Sequence, residues 1–194
     1  KLRKVKIDGS GTKRIFSEIF KKKNKLKKKL LEKKRDSKLK FRKALDSDLN
    51  KILFLRNQKQ NRLSSLNNRV IDNLDHYIWW FKSKRSFYLM YHQNLVLMSF
   101  WKKICNIGIN KIVLTGWNSV KNISFLNVLH GVLKFNATID KKYRVLSIVN
   151  KNNKVSLKID KYLGYKRLKN IDLPTASFLN FLKLNLNKFL ISIK

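Results

Sequence analysis

The sequence predicts an α+β domain, a mostly antiparallel sheet with helices layered against it, and three observations carry that expectation. Residues 86–91 and 95–101 are apolar or alternating runs separated by His92-Gln93-Asn94, the pattern of a β-hairpin. Further strand-like runs then take turns with segments of helical period, an order that belongs to layered α+β folds. With 194 residues, 43% hydrophobic and 11% aromatic, the chain can bury one sizeable core.

Taken in order, L-K-F-R-K-A from Leu39 alternates as a first strand. Asp46-Ser47-Asp48 supplies a helix start with acidic residues in its first turn, and Leu49, Ile52, Leu53 and Leu55 follow on that helix as far as Arg56-Asn57. I-D-N-L-D-H-Y-I-W-W-F over residues 71–81 predicts a second helix. After the hairpin, residues 112–117 read as a strand, 124–135 as a helix and 143–149 as another strand. Residues 153–165, N-K-V-S-L-K-I-D-K-Y-L-G-Y, read as a polar strand exit, an amphipathic helix carrying Val155, Leu157, Ile159 and Leu163, and a glycine stop at Gly164. For the tail beyond Pro174, proline at a first-turn position predicts a helix.

The first 38 residues differ from the rest. Val5 opens a short strand, Gly9 and Gly11 a turn, and Ile15, Phe16 and Ile19 the apolar side of a helix; a lysine-rich connector with Leu26, Leu30 and Leu31 follows. The expected organisation is a basic extension over 1–38 and a domain over 39–194. A formal charge of +35 raises nucleic-acid binding as a possibility. Heavy use of Lys, Asn, Ile and Phe with scarce Pro and Gly also fits an A/T-rich coding bias, and most basic residues are scattered as solvated faces are. Nucleic acid is therefore the lesser expectation. Cys105 is the sole cysteine, which excludes an intrachain disulfide and fits a reducing, cytoplasmic compartment. No apolar run approaches the ~18 residues of a membrane span. His76, His92 and His130 lack metal-ligand spacing, so no metal is expected. Lys1 rather than methionine stands first, and a fragment or processed product is expected.

Residues 153–165 resemble the last motif of the GNAT-type N-acetyltransferases. Asn153, Ser156, Leu157, Ile159, Leu163, Gly164 and Tyr165 fit its pattern, and Asp160 stands where the family usually has tyrosine. The strand, acidic cap and helix ending Leu55-Arg56-Asn57, followed by Asp75, His76, Trp79 and Trp80, resemble the opening of the amino-sugar-nucleotide acetyltransferases of pseudaminic-acid and surface-glycan pathways. Residues 5–20 resemble the C-terminal tail of that pathway's UDP-sugar hydrolase, which is sometimes fused ahead of such a domain.

The resemblance implies a GNAT-like sheet, acetyl-CoA as acyl donor and an amino-sugar nucleotide as acceptor. It places the donor near Leu114, Gly116, Asn118, Ser119, Lys121, Asn122 and Asn153, although residues 116–125 lack the family's glycine pair. Backbone groups of residues 112–116 would polarise the thioester. Asp160 takes the place of the tyrosine that protonates the departing thiolate, His76 would serve as base, and Arg56, Asn57 and Trp79 would meet the acceptor. Each residue also has a plainer reading. Asn118, Ser119, Asn122 and Asn153 suit turns and helix caps, and His76 and Trp79 suit scaffolding and core. The adjacent Lys158 and Lys161 predict a lowered pKa for Asp160. The expected function is an acetyl-CoA-dependent N-acyltransferase; the alternatives are a degenerate, non-catalytic GNAT-like binding domain and a basic RNA-binding protein.

Overall fold

The computed structural model describes residues 39–107, 110–168, 176–177 and 187–194; the extension over 1–38, with its hydrolase-like segment, lies outside them. Strands β1 (Leu39–Lys43), β2 (Ser86–His92), β3 (Leu95–Ile107), β4 (Asn110–Ser119), β5 (Arg144–Asn150), β6 (Lys166–Arg167) and β7 (Phe189–Ile193) form one sheet in the order β1-β2-β3-β4-β5-β7-β6. All neighbours are antiparallel except β4 and β5. The helices are α1 (Leu49–Asn57), α2 (Lys59–Leu63), α3 (Asn73–Lys82), α4 (Phe125–Asn136) and α5 (Lys154–Leu163).

Local chemistry sets the boundaries. Gln93 takes φ +54° in the hairpin turn, the left-handed state that closes a two-residue connection. Asp72 caps α3 through the Asp75 N–H at 2.8 Å, and Ser124 caps α4 through the Asn127 N–H at 3.2 Å. Asp48, in the 3₁₀ turn Asp46–Asp48 ahead of α1, is 1% exposed and receives Arg42 through both carboxylate oxygens at 2.7 and 3.0 Å. The Tyr91 hydroxyl (2.9 Å) and the Leu45 N–H (3.0 Å) donate to it as well, so one carboxylate joins β1, the turn and β2. Burial alone would raise the Asp48 pKa; Arg42, Leu45, Tyr91 and Lys51 together hold it well below the usual carboxylate range.

One face of the sheet packs Met90, Met98 and Phe100 against Val128, Val132 and Phe135 of α4 and Ile159 of α5. A Cβ at Gly131 would lie 2.8 Å from the Phe100 ring, so glycine sets how closely α4 approaches. The other face packs Phe87, Leu89 and Tyr91 against Ile52 of α1, with Trp79 and Trp80 of α3 alongside.

The tail departs from expectation. The helix predicted beyond Pro174 does not extend through Phe189 and Leu190, which belong to β7 between β5 and β6. Phe189 and Ile191 are buried at the period of two that a strand requires, and pairing with β5 outweighs local preference. The short α2 and β6 had no periodic signal of their own.

Gly164 closes α5 at φ +81°, where a Cβ would meet nothing within 4 Å. Its need for glycine is therefore purely conformational. Gly164→Ala is expected to lower the unfolding free energy by about 1 kcal/mol in urea titrations, and Gly164→Asn by less.

Candidate functional site

The sheet parts at its one parallel junction. β4 and β5 pair only at Ile112↔Arg144, Val113↔Val145 and Leu114↔Leu146. Beyond these, β4 continues to Ser119 on β3, and β5 continues to Asn150 on β7. In an antiparallel ladder, alternate residues turn their N–H and C=O away from the partner. Val120 donates to Leu97 of β3 at 2.9 Å, whereas the Ser119 N–H (3.3 Å) and carbonyl (2.8 Å) are taken by the Asn61 amide of α2. That parity leaves the main chains of Thr115 and Trp117 facing the gap. The unpaired stretch thus starts one residue past Leu114, since Ile112, Val113 and Leu114 are occupied by β5.

The gap opens into a cleft of about 960 Å³ whose lining comes from both faces of the sheet. On the α4/α5 side lies Asp160, with Ser147 Oγ of β5 donating to its Oδ2 at 2.8 Å. Burial pushes the Asp160 carboxyl up to about 6, and the hydroxyl bond offsets this only in part. The expectation from Lys158 and Lys161 is reversed because both are exposed; the Lys158 ammonium sits 4.9 Å over the Phe125 ring. Tyr165 also lines the cleft, tied by its N–H to the Asp160 carbonyl at 3.0 Å. Its pKa is raised by burial and then by the Asp160 charge, so the phenol stays protonated.

The loop between β4 and α4 runs without glycine, yet Asn122 adopts φ +63°. Asparagine is the non-glycine residue that tolerates this conformation best. Lys121 is exposed beside it at the cleft rim, and the α4 N-terminus follows with its partial positive charge. Asn118 and Ser119 are each 8% exposed; the Asn118 amide reaches Ser99 Oγ at 3.5 Å. Leu114 packs with Ile112, Leu146 and Ile191. Asn153 caps α5, its Oδ1 accepting from the Ser156 N–H at 3.0 Å, and it too borders the cleft.

The α1/α3 side carries most of the residues singled out for the acceptor. Arg56 donates to the Asn67 carbonyl and leaves Nη1 buried without a partner. Asn57 instead grips Ile71 through its amide nitrogen (2.7 Å) and oxygen (2.9 Å), pinning the segment ahead of α3, and is not among the cleft residues. His76 is 1% exposed, with Nε2 3.2 Å from the Leu49 carbonyl and its ring stacked 5.4 Å from Trp79. Burial lowers its pKa, so the ring is a neutral donor to Leu49. Trp79 lines the cleft and is packed edge-on to Phe87 at 5.5 Å.

Five further residues escape the sequence reading. Ser147 and Asn61 owe their places to contacts between distant segments, as do Arg85 and Trp101, which line the cleft, while Tyr165 was read only as a motif residue with no part in the site. A serine in β5 and an arginine ahead of β2 carry no local signal.

No protein-family model matches the chain, and no curated protein matches it. Solved structures do. An aminoglycoside N(6′)-acetyltransferase of Legionella pneumophila aligns with TM-score 0.58 at 10% identity over 81% of this chain and 92% of its own. FdhC, a nucleotide-linked sugar GNAT, aligns with TM-score 0.53 at 12% identity over 81% and 86%. YncA of Salmonella typhimurium, solved with acetyl-CoA, aligns with TM-score 0.52 at 9% identity over 80% and 91%. At these identities the likeness establishes the fold alone, and the described residues have the fold of the GNAT N-acetyltransferases. Among the described residues, no helix is long and apolar enough to cross a membrane, and no three His, Cys, Asp or Glu side chains cluster to hold a metal.

The raised Asp160 pKa has a thermodynamic consequence. Its ordinary value is 3.8 and its folded value about 6. Across about pH 4 to 6 the folded protein therefore binds more protons than the unfolded chain, and stability falls as pH rises. Asp160→Asn is expected to match the wild type in urea titrations near pH 4 and to exceed it by about 2 kcal/mol at pH 8.

Proposed function

We propose that the domain is an N-acyltransferase that moves an acetyl group from acetyl-CoA to the amine of an amino-sugar nucleotide. The observation that carries this reading is the parted sheet, which brings unpaired β4 main chain and a buried carboxyl with a near-neutral pKa into one cleft. The donor supplies a thioester: the amine nitrogen bonds to its carbonyl carbon, the carbon–sulfur bond breaks, and a thiolate leaves.

The chain's own groups fit that chemistry. The N–H groups of Thr115 and Trp117 face the gap and can polarise a carbonyl placed there. Asp160, ionised above about pH 6, accepts the proton that the attacking nitrogen loses. Tyr165, protonated beside it, donates a proton to the departing sulfur, and the proton held on Asp160 restores the phenol. Asp160 thus acts as base, and the acid role that the family gives to the tyrosine at its position passes to Tyr165. On this reading Asn122, Lys121 and the α4 N-terminus receive the donor's pyrophosphate, supported by the left-handed Asn122 and by the charge of +35, which draws such anions toward the molecule. His76, neutral and spent on Leu49, holds Trp79 rather than moving a proton. The amino-sugar nucleotide, and with it a cytoplasmic role in surface-glycan synthesis, draws support from the Arg56, His76 and Trp79 motif residues on the acceptor side and from the sugar-nucleotide GNAT among the similar structures.

The assay offers acetyl-CoA with a panel of amino-sugar nucleotides and follows free thiol. Activity is expected to rise through about pH 6. Asp160→Asn should lower kcat by about 100-fold or more and remove that rise, and Tyr165→Phe should slow thiol release with little change in KM. Acetyl-CoA binding in calorimetry with no thiol released from any acceptor would identify a non-catalytic binding module. Absence of acetyl-CoA binding would refute the reading altogether.

A further inference from the structure

Arg85 is held between two indoles: its Cζ lies 4.9 Å from the Trp79 ring centre and 4.2 Å from that of Trp101. It lines the acceptor side of the cleft. Among the described residues no carboxylate pairs with it and no oxygen accepts a hydrogen bond from it. Arg42 shows what a structural arginine looks like in this protein, with both its terminal nitrogens on Asp48 and one also on Tyr91. Arg85 has no such partner: it is half-buried, burial lowers its pKa, and its guanidinium is left to the cleft.

The sandwich has a directional result. Two indole rings against the guanidinium restrict its movement, and its N–H donors, which lie in the guanidinium plane, are left for a group that enters the cleft. Arg56, with Nη1 buried and unpartnered, adds a second cation to the same wall. The arrangement is built from β4 outward. A Cβ at Gly116 would stand 2.6 Å from three atoms of the Trp101 ring, so only glycine there lets Trp101 lie flat across β4 and meet Arg85. Gly116, which the family resemblance placed with the donor, serves the acceptor side.

We infer that the acceptor carries an anionic oxygen group, a phosphate or a carboxylate, and that Arg85, fixed between Trp79 and Trp101, is the residue that selects it. The inference rests on the acyl-acceptor reading above. It extends that reading by assigning recognition of the acceptor's anionic group to Arg85.

Calorimetry on the full chain saturated with coenzyme A, which occupies the donor loop, uses inorganic pyrophosphate and UDP as phosphate probes and succinate as the carboxylate probe. At least one probe is expected to bind saturably. Arg85→Met should weaken it at least tenfold, Arg85→Lys several-fold because the planar fork is lost, and Lys134→Met, at an exposed position on α4, not at all. Which probe binds decides between phosphate and carboxylate. Thermal melts accompany each variant, and if Arg85→Met does not fold, Arg85→Lys is decisive. No saturable binding of any probe, or binding within twofold of wild type in the folded Arg85 variants, overturns the inference. Coenzyme A binding, measured separately, should survive Arg85→Met; its absence from the wild type would count against the acyltransferase reading instead.

Discussion

The rest of the site depends on a contact of three residue pairs, the parallel junction of β4 and β5 at Ile112, Val113 and Leu114. Each strand has a second neighbour, β3 for β4 and β7 for β5, so both stay hydrogen-bonded on one edge while they separate on the other. A longer junction would close the sheet and leave no passage between its faces. A shorter one would let the core around Leu114, Leu146 and Ile191 come apart. At the point of separation the α4 N-terminus, the α5 carboxyl and the acceptor-side aromatics converge, each carried on an element packed into a core.

Two carboxyls show how the fold assigns opposite chemistry to one residue type. Asp48 collects a guanidinium, a phenol, an ammonium and a backbone N–H, and remains an anion that ties three segments together. Asp160, half-buried in the cleft wall, receives a single serine hydroxyl, and burial pushes its carboxyl up to about 6. The difference is decided by the donors: four groups hold the first as an anion, whereas one hydroxyl does not offset the desolvation of the second.

Much of the architecture was legible in the sequence because its signals are local. The helical periods of residues 71–81 and 124–135, the Gly164 stop and the hairpin around Gln93 and Asn94 are each read from nearby residues, and each element stands where expected. β7 was not legible, since its apolar residues suit either period and the decision is made by β5. Asp160, singled out by its place in a motif, lines the cleft, but the direction of its pKa was misjudged, because sequence neighbours on a helix point away from one another and Lys158 and Lys161 lie in solvent. The Arg85 sandwich could not be read at all: Trp79, Arg85 and Trp101 come from a helix, a connection and a strand, and only packing brings them together.

The insertion of β7 imposes an order on assembly. Val145 and Lys194 exchange main-chain bonds at 2.9 and 3.0 Å, so one edge of β5 waits for a strand that follows it only after α5 and β6. During synthesis that edge emerges from the ribosome well before its partner does, and an open edge strand recruits whatever extended peptide is at hand. The far wall of the cleft is thus secured only after β7 has emerged, and slow synthesis of the residues between β5 and β7 would prolong the interval in which the nascent chain can pair wrongly.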